Sequence, residues 1–569
     1  MKIRKSLFVL SALSVSALSA HAQSALGAYG VSQPDMKGTA RYMGMAGAFG
    51  ALGGDLTAIS QNPAGIGVYR SSDLGFTLDL DLQNSSTQDE GRKYTKDQTK
   101  FLLNNIGGVL TLRLPSHLCP NINFGFTYNK GSSFNRVFRG DINTLKTSMS
   151  NYIAGISNDP VGDGIPLSFD EMEDYPYENP NVPWISALAY NSYVISPLLD
   201  NDGYVERWEG LWQDSMNGKT TTGQASFLMQ ESGGTDEFNI VLGGNIAEKL
   251  YWGMNFQIVN LNYNLRTIWA ENLQNAYYIN DQNMPERENA SWNFNSAYNL
   301  SGTGFSYQLG LIFKPAQAFR LGFAFHTPTW YSLSEQFSGA MNYRGEYNFM
   351  ASDITNGGLP GYNNYNFRTP WKILASAAAV LGNSLILSFD YEWANYGKMH
   401  FSEPTYYNGG YDWNEPYPWN YAASPTMNTD IINWNDPYAY YNSDISSYYK
   451  SSNTFKVGLE FKPISSLSIR AGYAHVSSPV RKEAKDNMLT IYTSSLTPSY
   501  RLDNNTNYIT FGLGYRYSHI YVDLAYVYKK MDSEYHAFTP DVSSHAAPSP
   551  QAKVSLNNNQ IVLSAGYRF

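Results

Sequence analysis

Residues 507–529 read NYITFGLGYRYSHIYVDLAYVYK, two alternating runs joined by the short turn Ser518-His519. Ile509, Phe511, Leu513, Tyr515 and Tyr517 share one face of the first run, and Ile520, Val522, Leu524, Tyr526 and Tyr528 share one face of the second. Side chains alternate across a strand with period two, so each run is a strand with one apolar face. A soluble sheet would turn that face toward a core. A membrane barrel would turn it toward lipid and leave the polar face to a wet lumen. One hairpin does not separate these readings, but the series around it does.

Working outward, the alternation predicts strands at 74–82, 104–114, 121–129, 236–244, 251–263, 304–313, 320–329, 370–380, 384–393, 453–462, 467–476, 507–517, 520–529 and 558–569. From the second strand on, short turns such as Lys314-Pro315 and Lys462-Pro463 alternate with long polar tracts at 131–234, 267–301, 331–367, 395–452, 477–504 and 531–555. Ten residues at about 3.3 Å each, tilted by roughly 40°, span about 25 Å, the height of a barrel's apolar band. A soluble sandwich gives no reason for turn lengths to alternate. The fold class expected is all-β: a 14-stranded antiparallel transmembrane β-barrel of the bacterial outer membrane. Short turns then face the periplasm, long loops face outside, and both mature termini are periplasmic. The last strand ends on Phe569, and an alternating final strand with a terminal aromatic resembles the signal read by the barrel assembly machinery.

Composition agrees. Of 569 residues only 15% are charged, against about a quarter in ordinary soluble domains. Aromatics are also 15%, with 45 Tyr, yet mean hydropathy is −0.37. No mature segment has 18 clean apolar residues, so a helical membrane protein is not indicated. A net charge of −9 argues against a nucleic-acid partner. Lys2, Arg4 and Lys5, the apolar run Leu7–Leu18 and Ala20-His21-Ala22 read as a secretory signal peptide over 1–22. The single Cys119 lies far from that site, which leaves no lipid-anchor Cys and no intramolecular disulfide framework.

Between leader and first strand lies GTARYMGMAGAFGALGGDLTAISQNPAGIGVYR, residues 38–70. It is rich in Gly and Ala, too short for a core and too irregular for a strand, so it should sit inside the barrel. Asp55 is placed to cap a short helix through Ile59, and Asn62-Pro63 to end it. Residues 23–37 are expected to be a loose polar start. The domains are therefore 23–70 as a plug and 71–569 as the barrel.

Ala46-Gly47, Asp55 and Asn62-Pro63-Ala64-Gly65 before the first strand resemble the FadL/TodX family of outer-membrane transporters for hydrophobic compounds. The Tyr- and Asn-rich style is similar to proteins of the Bacteroidetes. The resemblance implies a 14-stranded barrel plugged by an N-terminal hatch. It implies passive uptake of hydrophobic small molecules such as long-chain fatty acids, through loops, an apolar pocket above the hatch and a lateral gap in the wall. In the family that gap comes from a kink in the third strand; here Gly125 would allow it. The partners implied are a hydrophobic ligand and outer-membrane lipid.

Asn62, Pro63, Ala64, Gly65 and Asp55 are thus the hatch candidates, against a plain Asn-Pro turn. The charges expected to face the lumen are Asp79, Asp81, Arg113, Asp390, Glu392, Glu460, Arg516, Asp523 and Arg568; mixed signs suit ion pairs to the hatch, through Arg41 and Asp55, better than an ion filter. Trp413, Trp419 and Trp434 lie in a Tyr-rich tract suited to ligand capture, to a protein surface or to a self-packed cap. The histidines are scattered, with only His326 expected in the lumen, and no HExxH or GxSxG occurs, so no enzyme, metal or cofactor is assigned. The alternative function is a non-transporting barrel that serves as a partner or scaffold in outer-membrane protein secretion or assembly, with a protein bound through the loops.

Overall fold

The computed structural model describes residues 24–569 apart from 34, 90–91, 161, 163, 214–218, 347–348, 383, 405–437, 487–488, 495 and 540–548. Trp413, Trp419 and Trp434 lie outside the described residues, as does the signal peptide. Fourteen barrel strands run β1 Asp73–Asp89, β2 Arg92–Arg113, β3 Asn121–Ser133 continued by Arg136–Ile142, β4 Thr222–Ile246, β5 Leu250–Ile279, β6 Pro285–Ala316 and β7 Phe319–His326 continued by Trp330–Arg344. They continue as β8 Gly361–Arg368 with Lys372–Leu381, β9 Leu385–Asn395, β10 Ser451–Ile464, β11 Leu467–Val476, β12 Tyr500–Tyr517, β13 Ile520–His536 and β14 Gln551–Arg568. Each pairs antiparallel with its neighbour, and β14 closes on β1 from Asp73↔Arg568 to Gln88↔Lys553. All fourteen predicted strands are present.

The two halves of β7 and of β8 part at the same height, at Pro328 and Pro370, because proline has no N–H for the ladder. Thr329 and Thr369 hold the break closed: Thr369 N donates to Thr329 O at 3.1 Å, and Thr329 N to Thr369 Oγ1 at 2.9 Å.

An apolar belt covers the outside of the turn-end half. Phe305, Tyr307, Leu309, Leu311 and Phe313 of β6 are all exposed, as are Ile509 to Tyr517 at odd positions on β12. Toward the other end, which we call the loop end, the strands continue well past the belt. There the apolar side changes face. On β6, outward Ser291, Asn293, Asn295, Asn299 and Ser301 are polar, whereas inward Trp292, Phe294, Tyr298 and Leu300 are buried. The pleat has not slipped; the chemistry of its two faces has exchanged near Gly302 and Gly304.

The exchange corrects the expectation that 131–234, 267–301 and 331–367 are polar loops. Most of 267–301 is strand, as is much of 331–367, and 131–234 carries helices α4 Met149–Asn158, α5 Phe169–Glu173 and α6 Trp184–Asn191 and a hairpin of Ile195–Leu199 with Val205–Gly210. Together they pack one large apolar core at the loop end that includes Trp184, Trp208, Trp269, Trp292 and Phe294. The outward Asn and Ser had masked it.

The N-terminal segment is not loose. Helix α1, Ala25–Ser32, buries Ala28, Tyr29 and Val31 in that loop-end core, and Tyr29 packs on Tyr396 and Tyr449. The chain then descends the lumen to Ser72, whose N–H donates to Phe569 O at 3.1 Å. Hence α1 and the C-terminus lie at opposite ends of the barrel, contrary to the expectation that both mature ends share one side.

Candidate functional site: the hatch and the wall around it

Residues 38–70 fill the lumen of the belt half. Helix α2, Ala40–Met43, is followed by tight turns, and helix α3, Ala58–Gln61, ends where Asn62 leaves the α region before Pro63. Asp55 stays within the hatch: Oδ1 accepts from Thr57 N and Ala58 N, and Oδ2 from Thr39 Oγ1 at 2.7 Å. Asn62 does three things. Its Oδ1 accepts from Ala64 N at 3.1 Å, and its Nδ2 donates to Gly50 O at 2.6 Å and to Leu311 O of β6 at 3.3 Å. It ties two hatch segments and the wall into one unit.

The wall meets this backbone with glycines, a signal the sequence held and the reading missed. Gly243, Gly253 and Gly310 are cross-strand neighbours on β4, β5 and β6. A Cβ on Gly253 would lie 2.1 Å from Pro63 O, and one on Gly310 only 2.0 Å from Asn62 Oδ1. A Cβ on Gly322 of the neighbouring β7 would lie 2.3 Å from Gly50 O, and one on Gly472 of β11 would lie 2.5 Å from the carbonyl carbon of Met45. Any side chain there would displace the hatch.

Charges fasten it. Lys37 places its buried ammonium 2.8 Å from Asp79 and 2.9 Å from Asp81 of β1, and donates to Gln560 at 2.9 Å. Lys37 is not among the sequence candidates, because 23–37 reads as a loose polar start. Arg41 pairs with Glu460 at 3.1 Å, and Glu460 also meets Arg470, which reaches Asp523. Asp390 accepts from Gly50 N at 2.9 Å and from Gln61 Nε2 at 3.0 Å. His326 has Nε2 2.8 Å from Gln61 O. Arg568 pairs with Asp73 at 2.9 Å, and Glu392 with Lys456 at 3.6 Å. Two of the charges expected in the lumen lie elsewhere: Arg113 and Arg516 are exposed at the turn-end rim, where strands leave the belt.

Gly125 does not interrupt the wall. It pairs with Val109 of β2 and Val241 of β4 in unbroken ladders, and it faces Ile59 and Ile66 of the hatch. The discontinuity lies four residues on. β2 and β3 pair from Arg113↔Asn121 only as far as Asn105↔Asn129. Beyond that, β3 follows β4 while β2 stays with β1, so a seam opens in the wall. Asn105 Nδ2 donates to Asn129 Oδ1 at 2.6 Å, and Asn129 Nδ2 to Ser60 Oγ of the hatch at 3.1 Å. Above them side chains replace the ladder: Tyr94 with Asp141, Ser85 with Val137 O, and Arg92 with Asn143 at 3.0 Å.

Above the hatch the expectation was an apolar pocket. The cavity there is about 140 Å³ and mainly polar, lined by Glu237, Gln257, Gln308, His326 and Lys372 with Asp35 of the descending N-terminal segment. Its surroundings form an amide network, Asn255 donating to Asn239 at 2.8 Å and to Gln308 at 2.9 Å. At the loop end, Glu271 lies buried among four donors: Ser148 Oγ, Met149 N at 2.9 Å, and the indoles of Trp269 at 2.7 Å and Trp292 at 3.1 Å. Burial pushes its carboxyl above the usual range despite them. Burial likewise pushes His536 down to about 4, so its ring is neutral. Asp200 makes a turn, accepting from Asp202 N and Tyr204 N at 2.9 Å.

No protein-family model and no curated protein matches the chain. Among solved structures it is similar to a Pseudomonas aeruginosa FadL homologue, at 12% identity and a TM-score of 0.48 over 94% of this chain and 99% of that one. It is similar over the same shares to the Pseudomonas putida toluene transporter TodX, at 11% identity and a TM-score of 0.47. The Ralstonia pickettii toluene transporter TbuX follows at 12% identity and a TM-score of 0.40, over 94% of this chain and 98% of that one. The likeness to FadL/TodX structures is one of fold, and the fold itself rests on the strand pairing above.

Proposed function

We propose that the chain is an outer-membrane barrel for passive uptake of hydrophobic small molecules, with exit sideways through the β2–β3 seam. The observation that carries this reading is the seam itself. A barrel avoids open edges, because unpaired backbone groups in the hydrocarbon region cost several kcal/mol each, by roughly the penalty for any buried unsatisfied polar group. Pairing that stops beside exposed Phe101 and Leu103, next to a hatch that plugs the axial route, marks where the wall gives. An apolar solute gains about 25 cal/mol per Å² by leaving into lipid rather than through a watery pore. Long-chain fatty acids and monoaromatic hydrocarbons are the substrate classes to try, the latter because structures similar to this chain are described as toluene transporters. Both chain ends would belong to different compartments in this arrangement, with the turn end periplasmic.

A second reading draws support from the filled lumen and the polar cavity: a barrel that serves as a partner in protein secretion or assembly, docking through its loop-end domain. Vesicles carrying the protein, supplied separately with a labelled long-chain fatty acid and with toluene, separate the two. Uptake above that of vesicles without it supports transport. No acceleration for either solute, with a stoichiometric protein in gently purified material, supports the partner reading.

A further inference from the structure

The wall lapses a second time, at Pro328 of β7 and Pro370 of β8. Ladder pairing between these strands stops at His326↔Lys372 below and resumes at Trp330↔Arg368 above. Two bonds between Thr329 and Thr369 close the gap, and one of them ends on a hydroxyl rather than a carbonyl. Toward β6 the wall is kept by Thr327, whose N donates to Tyr307 O and whose Oγ1 accepts from Tyr307 N, both at 2.9 Å. A proline in a strand is often only a bend. Here two stand on neighbouring strands at one height. Neither has an N–H, so parting β7 from β8 at this point strands fewer donors in the membrane than parting an ordinary pair would.

The break lies where the belt ends. On β7, Leu321 and Phe323 are exposed and apolar, Trp330 is 37% exposed, and Ser332, Ser334 and Gln336 continue the outer face as polar residues. Phe325 and Trp393 share the outward parity of exposed Phe323 and Phe389. Trp371 stands between them, its ring 6.0 Å from Phe325 and 4.9 Å from Trp393 between centroids. Such rings settle at the membrane–water boundary. Behind the break is the cavity over the hatch. Thr327, Thr329, Thr369 and Pro370 form one side of it, and Gly131 and Ser132 of β3 form another. Gly131 is the bulge in the β3–β4 ladder just past Asn129, where the β2–β3 seam begins. One cavity therefore touches both lapses of the wall. Among the described residues its axial approach is filled: Val31 and Ser32 of α1 line it, and Tyr29 above them packs on Tyr396 and Tyr449 in the loop-end core.

We propose that the proline break is an entry port, through which a compact neutral solute bearing a hydroxyl group passes from the outer edge of the belt into the cavity over the hatch. Size sets the first limit. The cavity of about 140 Å³ is close to the roughly 150 Å³ of an apolar cavity that takes benzene, so a single ring fits and a long acyl chain does not. The lining sets the second. Thr235, Gln257, Ser306 and Gln308 offer hydroxyls and amides, and Glu237 and Lys372 carry opposite charges. An uncharged hydrogen-bonding group matches them, whereas a bare hydrocarbon leaves them unpaired. The port deepens the uptake reading and rests on it, with exit still at the seam.

The test is photolabelling of the full mature chain in lipid nanodiscs with a diazirine-bearing benzyl alcohol, mapped by peptide mass spectrometry, with plain benzyl alcohol as competitor. Competed label is expected on 327–329, on 369–371 and on Gln257 and Gln308. Competed label on α1 and α6 instead would show entry through the loop end and overturns the port. Label confined to the belt and not competed would show simple partition into lipid and overturns it as well. Equal competition by toluene overturns the hydroxyl requirement. Pro328→Val with Pro370→Val returns both N–H groups to the ladder, and label on Gln257 and Gln308 is expected to appear about tenfold or more slowly after rapid mixing; Thr369→Val, which removes a closing hydroxyl, is expected to speed it severalfold. A heat-modifiable gel shift confirms that each variant is folded. Unchanged rates in both variants overturn the port. Competed label at the break and cavity in a protein that takes up neither fatty acid nor toluene into vesicles supports the site and removes the uptake reading, so the two fail separately.

Discussion

The two halves of β6 are one strand with two opposite chemistries. Below Gly304 its outward residues, Phe305 to Phe313, are apolar and its inward ones, Ser306, Gln308 and Gly310, are polar or small. Above Gly302 the outward ones are Asn and Ser, and the inward ones, Leu300, Tyr298, Phe294 and Trp292, make a core. The same pleat thus meets two solvents. In the belt, lipid takes the apolar face and the hatch takes the polar face through ion pairs and glycine contacts. In the loop-end domain, water takes the outer face and the hydrophobic effect folds helices inside. The hatch half is therefore held mainly by specific polar contacts, and the loop-end half mainly by packing.

The largest expected effect breaks the second half alone. Trp292→Ala removes a buried indole and leaves Glu271 one donor short, so it should cost about 3–5 kcal/mol. Near-UV circular dichroism from the loop-end core should then melt before the barrel loses its heat-modifiable gel mobility. Simultaneous loss of both signals would mean that the halves are one cooperative unit. Next in size, Leu309→Arg places a charge in the belt, where Leu309 is 55% exposed, and should cost roughly 2–4 kcal/mol when unfolding is followed in bilayers. The same change at outward Asn293 should fall within about 0.5 kcal/mol. Equal costs at the two positions would refute the belt boundary drawn here.

Acid gives a smaller, graded test. His536 is buried and neutral, with its pKa brought from 6.5 to about 4 by desolvation. Between those values the unfolded chain binds more protons, so stability rises with pH in this window. The contribution is whole above pH 6.5 and is lost as pH falls toward 4, on the order of 2–3 kcal/mol. The loop-end signal should follow this titration in wild type and not in His536→Gln, while the belt signal should stay flat.

Much of the belt was legible in the sequence because lipid demands strict outward alternation. Every strand that carries it was found, within a few residues of the turns. The loop-end domain was not, because its apolar residues lie on the opposite parity and are interleaved with Asn and Ser; 267–301 reads as a polar loop when only the outward face is followed. The hatch motif at Asn62-Pro63 is legible through its resemblance, and Arg41 as a hatch cation through its charge, though not which of the lumen carboxylates it meets. Lys37 and the glycine contacts were not, since both depend on which inward position faces which hatch residue across hundreds of residues of chain. The resemblance points to Gly125 for the break in the wall, but the pairing ends at Asn105 and Asn129, just before the bulge at Gly131 in the β3–β4 ladder.

Lateral exit requires that seam to open. Tyr94 of β2 and Asp141 of β3 meet across it through their side chains, so cysteines at both positions joined by a short disulfide-containing linker, with Cys119 replaced by Ser, can lock it reversibly. Uptake of a hydrophobic solute by vesicles carrying this variant is the most direct measurement. The lateral route predicts that uptake falls to the level of empty vesicles when the pair is linked and returns when the linker is reduced. Uptake that is indifferent to the lock would contradict exit through the β2–β3 seam.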